Sequence, residues 1–166
     1  MSATVNIHAT CVLLARAGSA FRAPPTAGVL LLGQSGSGKS DLALRLIGRG
    51  ARLVSDDRTD LRIERGSLVA RAPPSIAGLI EIRGLGIVEL AHAASARIAL
   101  VVDLSGKVNR LPRTRYYAPP KPLYPSPTAR PTLIALSAFD ASAPEKIFAS
   151  VAAQRHRSLR DSVKRN

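Results

Sequence analysis

Residues 33–40 read Gly33-Gln34-Ser35-Gly36-Ser37-Gly38-Lys39-Ser40: a glycine, four further residues, then Gly-Lys-Ser. That spacing suits the binding of a polyphosphate. Glycines place no Cβ in the way, so successive backbone N–H groups can converge on one anion. A helix starting directly afterwards adds the partial positive charge of its first turn. In such a loop Lys39 reaches the β- and γ-phosphates of a nucleotide, and the Ser40 hydroxyl binds Mg²⁺. Further along, Arg52-Leu53-Val54-Ser55 leads into Asp56-Asp57. Acids ending an apolar strand after a phosphate loop have the form of a Walker-B element, and a plain polar turn has the same form. Glu81 and Arg83 fall on one face of a strand and Ile80 and Ile82 on the other, before Gly84 and Gly86 permit a bend. By itself that segment is an ordinary amphipathic strand and turn. His8 lies early in the first apolar stretch, where a lone histidine is more often a satisfied core residue than a reactive one.

These residues need elements to hold them. Gly28 to Leu32 is a short apolar run ending at the loop, and Leu42, Ala43, Leu46 and Ile47 recur at helical spacing before Gly48 and Gly50. Val5 to Leu14 reads as a first strand, and Ala15 to Thr26 as a loop-like insert with Gly18, Pro24 and Pro25. Asp60 to Arg71 alternates as a hairpin with its turn at Gly66-Ser67, and Pro73-Pro74 ends the pairing. Ile98 to Val102 is a further buried strand, ending at Asp103. From Leu104 to Phe139 there is no acidic residue, while Lys107, Arg110, Arg113, Arg115, Lys121 and Arg130 all fall there. Its prolines and lack of periodicity predict a long basic loop over 104–132. Leu133 to Leu136 reads as a last strand. Ser142-Ala143-Pro144-Glu145 then reads as a helix start, with Ile147, Phe148, Val151 and Ala152 as its apolar face. Residues 155–166 form a basic tail expected to fray. The expectation is a single α/β domain over 1–166, with a mixed sheet around the phosphate-loop helix.

The chain has 166 residues, 46% of them hydrophobic, and a net charge of +13 from 24 basic and 11 acidic residues. Such a charge points to an anionic partner without choosing among nucleotide, acidic protein and nucleic acid. With no Trp, three Tyr and three Phe, the chain is poorly equipped to stack single-stranded nucleic acid. No run is apolar enough to span a bilayer, and no charged segment leads into an apolar one at the N-terminus. The lone Cys11 excludes an internal disulfide framework and suits the cytoplasm.

Assembled, these segments resemble the HPr kinase/phosphorylase family in its kinase domain. The phosphate loop carries an acidic residue after it, Asp41, where the family usually has Glu. Arg49-Gly50-Ala51-Arg52-Leu53-Val54-Ser55-Asp56-Asp57 is similar to the family's Arg-Gly-His-Arg-Leu-Val-Ala-Asp-Asp. Ile80-Glu81-Ile82-Arg83-Gly84-Leu85-Gly86-Ile87 is similar to its signature almost residue for residue, and Ile7-His8 resembles the Ile-His before the phosphate-loop strand. The resemblance covers residues 5 to 90 well and the remainder loosely.

The resemblance implies an ATP- and Mg²⁺-dependent kinase that phosphorylates a serine of HPr, a phosphocarrier protein of the sugar phosphotransferase system. It implies a fold like that of phosphoenolpyruvate carboxykinase around the phosphate loop, and a cytoplasmic hexamer in the family's short form. Carried over by position, Lys39 binds and polarises phosphate, and Ser40 and Glu81 match the Mg²⁺ ligands. Asp57 matches the residue that accepts the serine proton, with Asp56 in support. His8 matches an active-site histidine and Arg110 a catalytic arginine. The family's Pro-Val-Arg-Pro-Gly-Arg segment, tied to the reverse phosphorylase reaction, is replaced by Tyr124-Pro125-Ser126-Pro127-Thr128-Ala129-Arg130-Pro131, which argues against that activity. Two alternatives stay open: a phosphate-loop kinase or ATPase with a small-molecule acceptor, and a basic nucleic-acid-binding or regulatory module without catalysis.

Overall fold

The structure, a computed structural model, describes residues 3–15, 26–123 and 130–163, with side chains through residue 154. Most of the 15–26 insert, and residues 124–129 within the segment that replaces the family's arginine-rich motif, lie outside the described residues.

The first strand, β1 (Thr4–Ala15), is long enough to serve several partners. Its second half pairs antiparallel with β2 (Thr26–Leu32). Its other edge takes β3 (Arg52–Ser55) and then β4 (Arg58–Glu64), also antiparallel. β4 turns back into β5 (Ser67–Arg71), which pairs with the start of β8 (Ala96–Asp103). β8 in turn runs parallel to β2, so pairings pass from β1 through β4, β5, β8 and β2 back to β1. β10 (Thr132–Ala135) adds to β8 in parallel, and the short β9 (Arg115–Tyr116) adds to β10. A separate hairpin, β6 (Leu79–Ile82) with β7 (Gly86–Glu89), carries Glu81. The sheet is mixed, as expected.

From Ala27 onward β2 is apolar because both its faces are covered. Val29 and Leu31 join a core with the helices α1 (Lys39–Ile47) and α2 (Ala143–Val163), while Leu30 joins a second core with Cys11, Leu61, Leu68 and Val101. Leu42, Ala43 and Leu46 of α1 and Ile147, Phe148 and Val151 of α2 meet in the first core, at the helical spacing read from the sequence. Arg49 of the turn after α1 and Glu145 add a 2.8 Å ion pair between the two helices' ends.

Two expectations shift. The β4–β5 turn is centred on Arg65 and Gly66, both at positive φ (47° and 72°), so Ser67 already lies in the strand, paired with Glu64. That is the backbone twist a two-residue hairpin favours. The basic stretch is also partly pinned: β9 pairs with β10, and the Tyr117 N–H donates to the Pro131 carbonyl at 2.9 Å. At the C-terminus, α2 continues as helix to Val163.

Candidate active site

The loop leaves β2 at Gly33 and enters α1 through Gly38, which has φ 88° and no side-chain cap. The first N–H groups of α1 are therefore left for another acceptor. A Cβ on Gly33 would sit 2.3 Å from Ser37 Oγ, so the turn closes only with glycine there. Above Gly36 (φ 79°) the space is open. Lys39 Nζ folds back over its own loop, donating to the Gly33 carbonyl at 2.8 Å and the Gln34 carbonyl at 2.9 Å. Burial lowers the Lys39 pKa below its ordinary value, and the nearby charges of Asp57 and Asp56 oppose that shift.

The two acids interrupt one long ladder. Cys11 opposite Ser55 and His8 opposite Arg58 share one register, so β3 and β4 are a single strand broken at residues 56–57. At the break Asp57 takes φ 62°, and the Arg58 N–H reaches the Asp56 carbonyl at 2.7 Å. A non-glycine residue held there stores local strain, a state that clusters at functional positions. Hydroxyls clasp the break shut. Thr59 donates to the Ala9 carbonyl at 2.8 Å, so Ser55 is the donor in the 2.6 Å contact with Thr59.

The break turns the two carboxylates to different surroundings. Asp56 is 5% exposed. Its Oδ1 accepts from Thr10 Oγ1 at 2.7 Å and from Ser40 Oγ at 2.8 Å, and its Oδ2 accepts the Glu81 N–H at 3.1 Å. Three donors thus satisfy this buried carboxylate, which would be costly to bury unpaired. The Asp57 side chain is 69% exposed, and its Oδ1 lies 2.8 Å from Nε2 of His8, which is itself 38% exposed.

The structure thus brings Lys39, Ser40, Asp56, Asp57 and His8 to the end of β2, with Gly33, Gln34, Ser35, Gly36, Ser37 and Gly38 forming the loop between them. Glu81 is tied in by its backbone and its side chain is exposed. Arg110 is exposed and has no hydrogen bond or ion pair among the described residues. Its loop does start beside the phosphate loop, where the Leu104 N–H donates to the Leu32 carbonyl at 2.8 Å. Two neighbours escaped the sequence reading. Thr10 lies two residues after His8, on the same face of β1, and that spacing was the available signal. Phe139 comes up beside Gly38 from the far end of the chain, where a Cβ on that glycine would lie 3.1 Å from its ring, and no local pattern announces it. A cleft of about 430 Å³ lined by Leu13, Thr26, Arg97 and Gln154 lies at the opposite ends of β1 and β2 and includes none of these groups.

The residues present fit a Mg²⁺–nucleotide. Ser37 Oγ is buried without a protein partner inside the loop, and Gly36 leaves the approach open. Among the described residues there is no cluster of three or more His, Cys, Asp or Glu placed to cage a metal ion. Mg²⁺ does not require one, since it keeps several waters and takes one or two carboxylates plus phosphate oxygens.

The family model described as "HPr Serine kinase C-terminal domain" matches residues 25–110. The chain belongs to the HPr kinase C-terminal domain family. Among relatives of this HPr kinase domain, HPr kinase/phosphorylase 1 of Oceanobacillus iheyensis is 49% identical over 85 residues, covering 46% of this chain and 27% of that protein. HPr kinase/phosphorylase of Caldanaerobacter subterraneus subsp. tengcongensis is 44% identical over 94 residues, covering 54% and 31%. The chain spans less than a third of the length of these curated relatives. The solved structure of the Hpr(Ser) kinase/phosphatase from Coxiella burnetii superposes with a TM-score of 0.67 over 95% of this chain and 99% of that one, at 24% identity. At that identity the match speaks for the HPr kinase fold alone. Among the described residues no helix is long and apolar enough to cross a membrane.

Proposed function

We propose that this HPr kinase domain transfers the γ-phosphoryl group of ATP to a serine hydroxyl of HPr. One observation carries the reading: two adjacent aspartates meet the phosphate loop, Asp56 buried on Ser40 and Asp57 exposed against His8. Phosphoryl transfer needs positioning and charge neutralisation more than covalent chemistry. The loop N–H groups and Lys39 hold the triphosphate. Ser40 and Glu81, with Asp56 in support, would hold Mg²⁺, which when bound neutralises phosphate charge. Asp57 stands in the open, where a protein substrate can reach it, and takes the serine proton as the Oγ–P bond forms. The bond from the γ-phosphorus to the bridging oxygen breaks, and ADP leaves with the electron pair. His8 orients the Asp57 carboxylate. Arg110, on the basic 104–132 loop, would approach the transferring group when HPr docks.

Residues 1–166 are taken as one domain with a basic tail at 155–166, acting in a cytoplasmic hexamer as in the family. The loss of the family's Pro-Val-Arg-Pro-Gly-Arg segment argues against the reverse phosphorylase reaction. The test is incubation with labelled ATP, Mg²⁺ and HPr from the same source. Label on serine that disappears with Asp57→Asn supports the assignment, whereas no transfer by the wild type, or undiminished transfer by Asp57→Asn, overturns it.

A further inference from the structure

We infer that Phe139 is the platform for the base of the bound nucleotide, an inference that rests on the phosphate-loop reading and extends it. β2, β8 and β10 run parallel, so the segment after β10 emerges at the same edge of the sheet as the phosphate loop after β2. Ligands of parallel sheets lie beyond those carboxyl ends. Residues 137–140 arrive there against Gly38. A Cβ on that glycine would lie 2.7 Å from Ala138 Cβ and 3.1–3.2 Å from the ring edge of Phe139. Ala138 is buried, yet Phe139 is 71% exposed. The ring is seated edge-on beside the glycine preceding Lys39, and most of its surface faces outward.

The segment that presents it is braced. The Arg45 guanidinium donates to the Ala138 carbonyl and, at 3.2 Å, to the Asp140 carbonyl, which flank Phe139 on either side. Asp41 holds Arg45 in turn at 3.0 Å. The Asp140 N–H closes a turn onto the Ser137 carbonyl at 3.3 Å, and Lys146 occupies the Asp140 carboxylate at 2.9 Å. With the backbone held before the ligand arrives, only the ring's own rotation has to be ordered on contact. These contacts also occupy the two carbonyls that flank the ring and the Asp140 carboxylate. What remains is a π-face, which every base can stack on. The site should therefore prefer a nucleotide to a bare polyphosphate while telling adenine from guanine poorly.

The chain contains no Trp, so Phe139→Trp would install a single reporter. Calorimetric titrations with Mg²⁺ and either ATP or inorganic tripolyphosphate separate the base from the phosphates. Phe139→Ala should weaken ATP about tenfold and leave tripolyphosphate unchanged. Phe139→Trp should retain ATP binding, with emission quenched by ATP and GTP alike and not by tripolyphosphate. Equal loss of both ligands in Phe139→Ala, loss of neither, or Trp emission that ignores ATP overturns the platform alone. A wild type that binds tripolyphosphate but ATP no more tightly does the same. A wild type that binds neither overturns the phosphate-loop reading, and the platform with it.

Discussion

The Ser40 hydroxyl donates to Asp56 Oδ1 at 2.8 Å, joining the first turn of α1 to the break between β3 and β4. The same oxygen accepts from Thr10 on β1, and the other carboxylate oxygen accepts from the Glu81 backbone. One buried carboxylate thus gathers the phosphate loop, the central strand and the signature hairpin at a single point, and the stability of that point should be measurable.

Asp56→Ala should destabilise the fold by about 3 kcal/mol, because Thr10, Ser40 and the Glu81 N–H lose their shared acceptor and cannot all reach water. Asp56→Asn keeps the shape and should cost less. Chemical denaturation checks the order of the three proteins; equal stability of wild type and Asp56→Ala would show the carboxylate to be structurally idle.

Asp57 should behave in the opposite sense. Its φ of 62° disfavours a side chain, and glycine there would relieve the strain, less its own unfolded-state entropy, for a net gain of roughly 0.5 kcal/mol. Asp57→Gly should melt slightly higher than wild type while phosphoryl transfer falls by at least about a hundredfold. Thermal unfolding and a transfer assay on one preparation check both halves.

His8→Ala should leave thermal stability within about 0.5 kcal/mol of wild type, since its partner Asp57 is largely solvated and exposed pairs contribute little. Transfer to serine should fall about tenfold with little change in ATP affinity. A matching loss of ATP affinity would place the histidine in nucleotide binding instead.

Lys39 should set the alkaline limit of phosphate binding. Burial lowers its pKa from the usual 10.5, so the ammonium is lost at lower pH than on a free lysine, and anion attraction goes with it. Tripolyphosphate affinity should decline as pH rises, beginning below 10.5, and that decline should be absent in Lys39→Ala. The decline is read by titration at a series of pH values.

Cys11 is fully buried, and burial pushes its thiol pKa well up. The native protein should therefore resist a thiol reagent, with labelling tracking global opening. Rapid modification without denaturant would contradict the packing of the second core.

Much of the frame was legible because apolar periodicity is local. β2 and α1 flank the loop as their spacing indicates, and the apolar face of α2 falls where its repeat places it. The division between Asp56 and Asp57 was not legible from residue type, and only the family resemblance gave them different roles. The two residues are chemically identical, and their surroundings depend on the register with β1 and on a left-handed turn no residue type demands. The hairpin turn moved by one residue for a similar reason: Arg65 adopts positive φ because strand twist imposes it. Phe139 reaches the site through the long-range pairing of β10 with β8, which local patterns do not encode, whereas Thr10 had its two-residue spacing from His8 to mark it.

The unbroken register across residues 56–57 has one more consequence. A single residue inserted between Ser55 and Arg58 would offset the strand on one side of the break by one step and turn its side chains to the opposite face, and a deletion there would remove one of the two acids outright. Length, more than composition, is what this corner of the molecule cannot change: lineages could trade many nearby side chains, but a frame of one extra residue would set a whole strand's side chains on the wrong face.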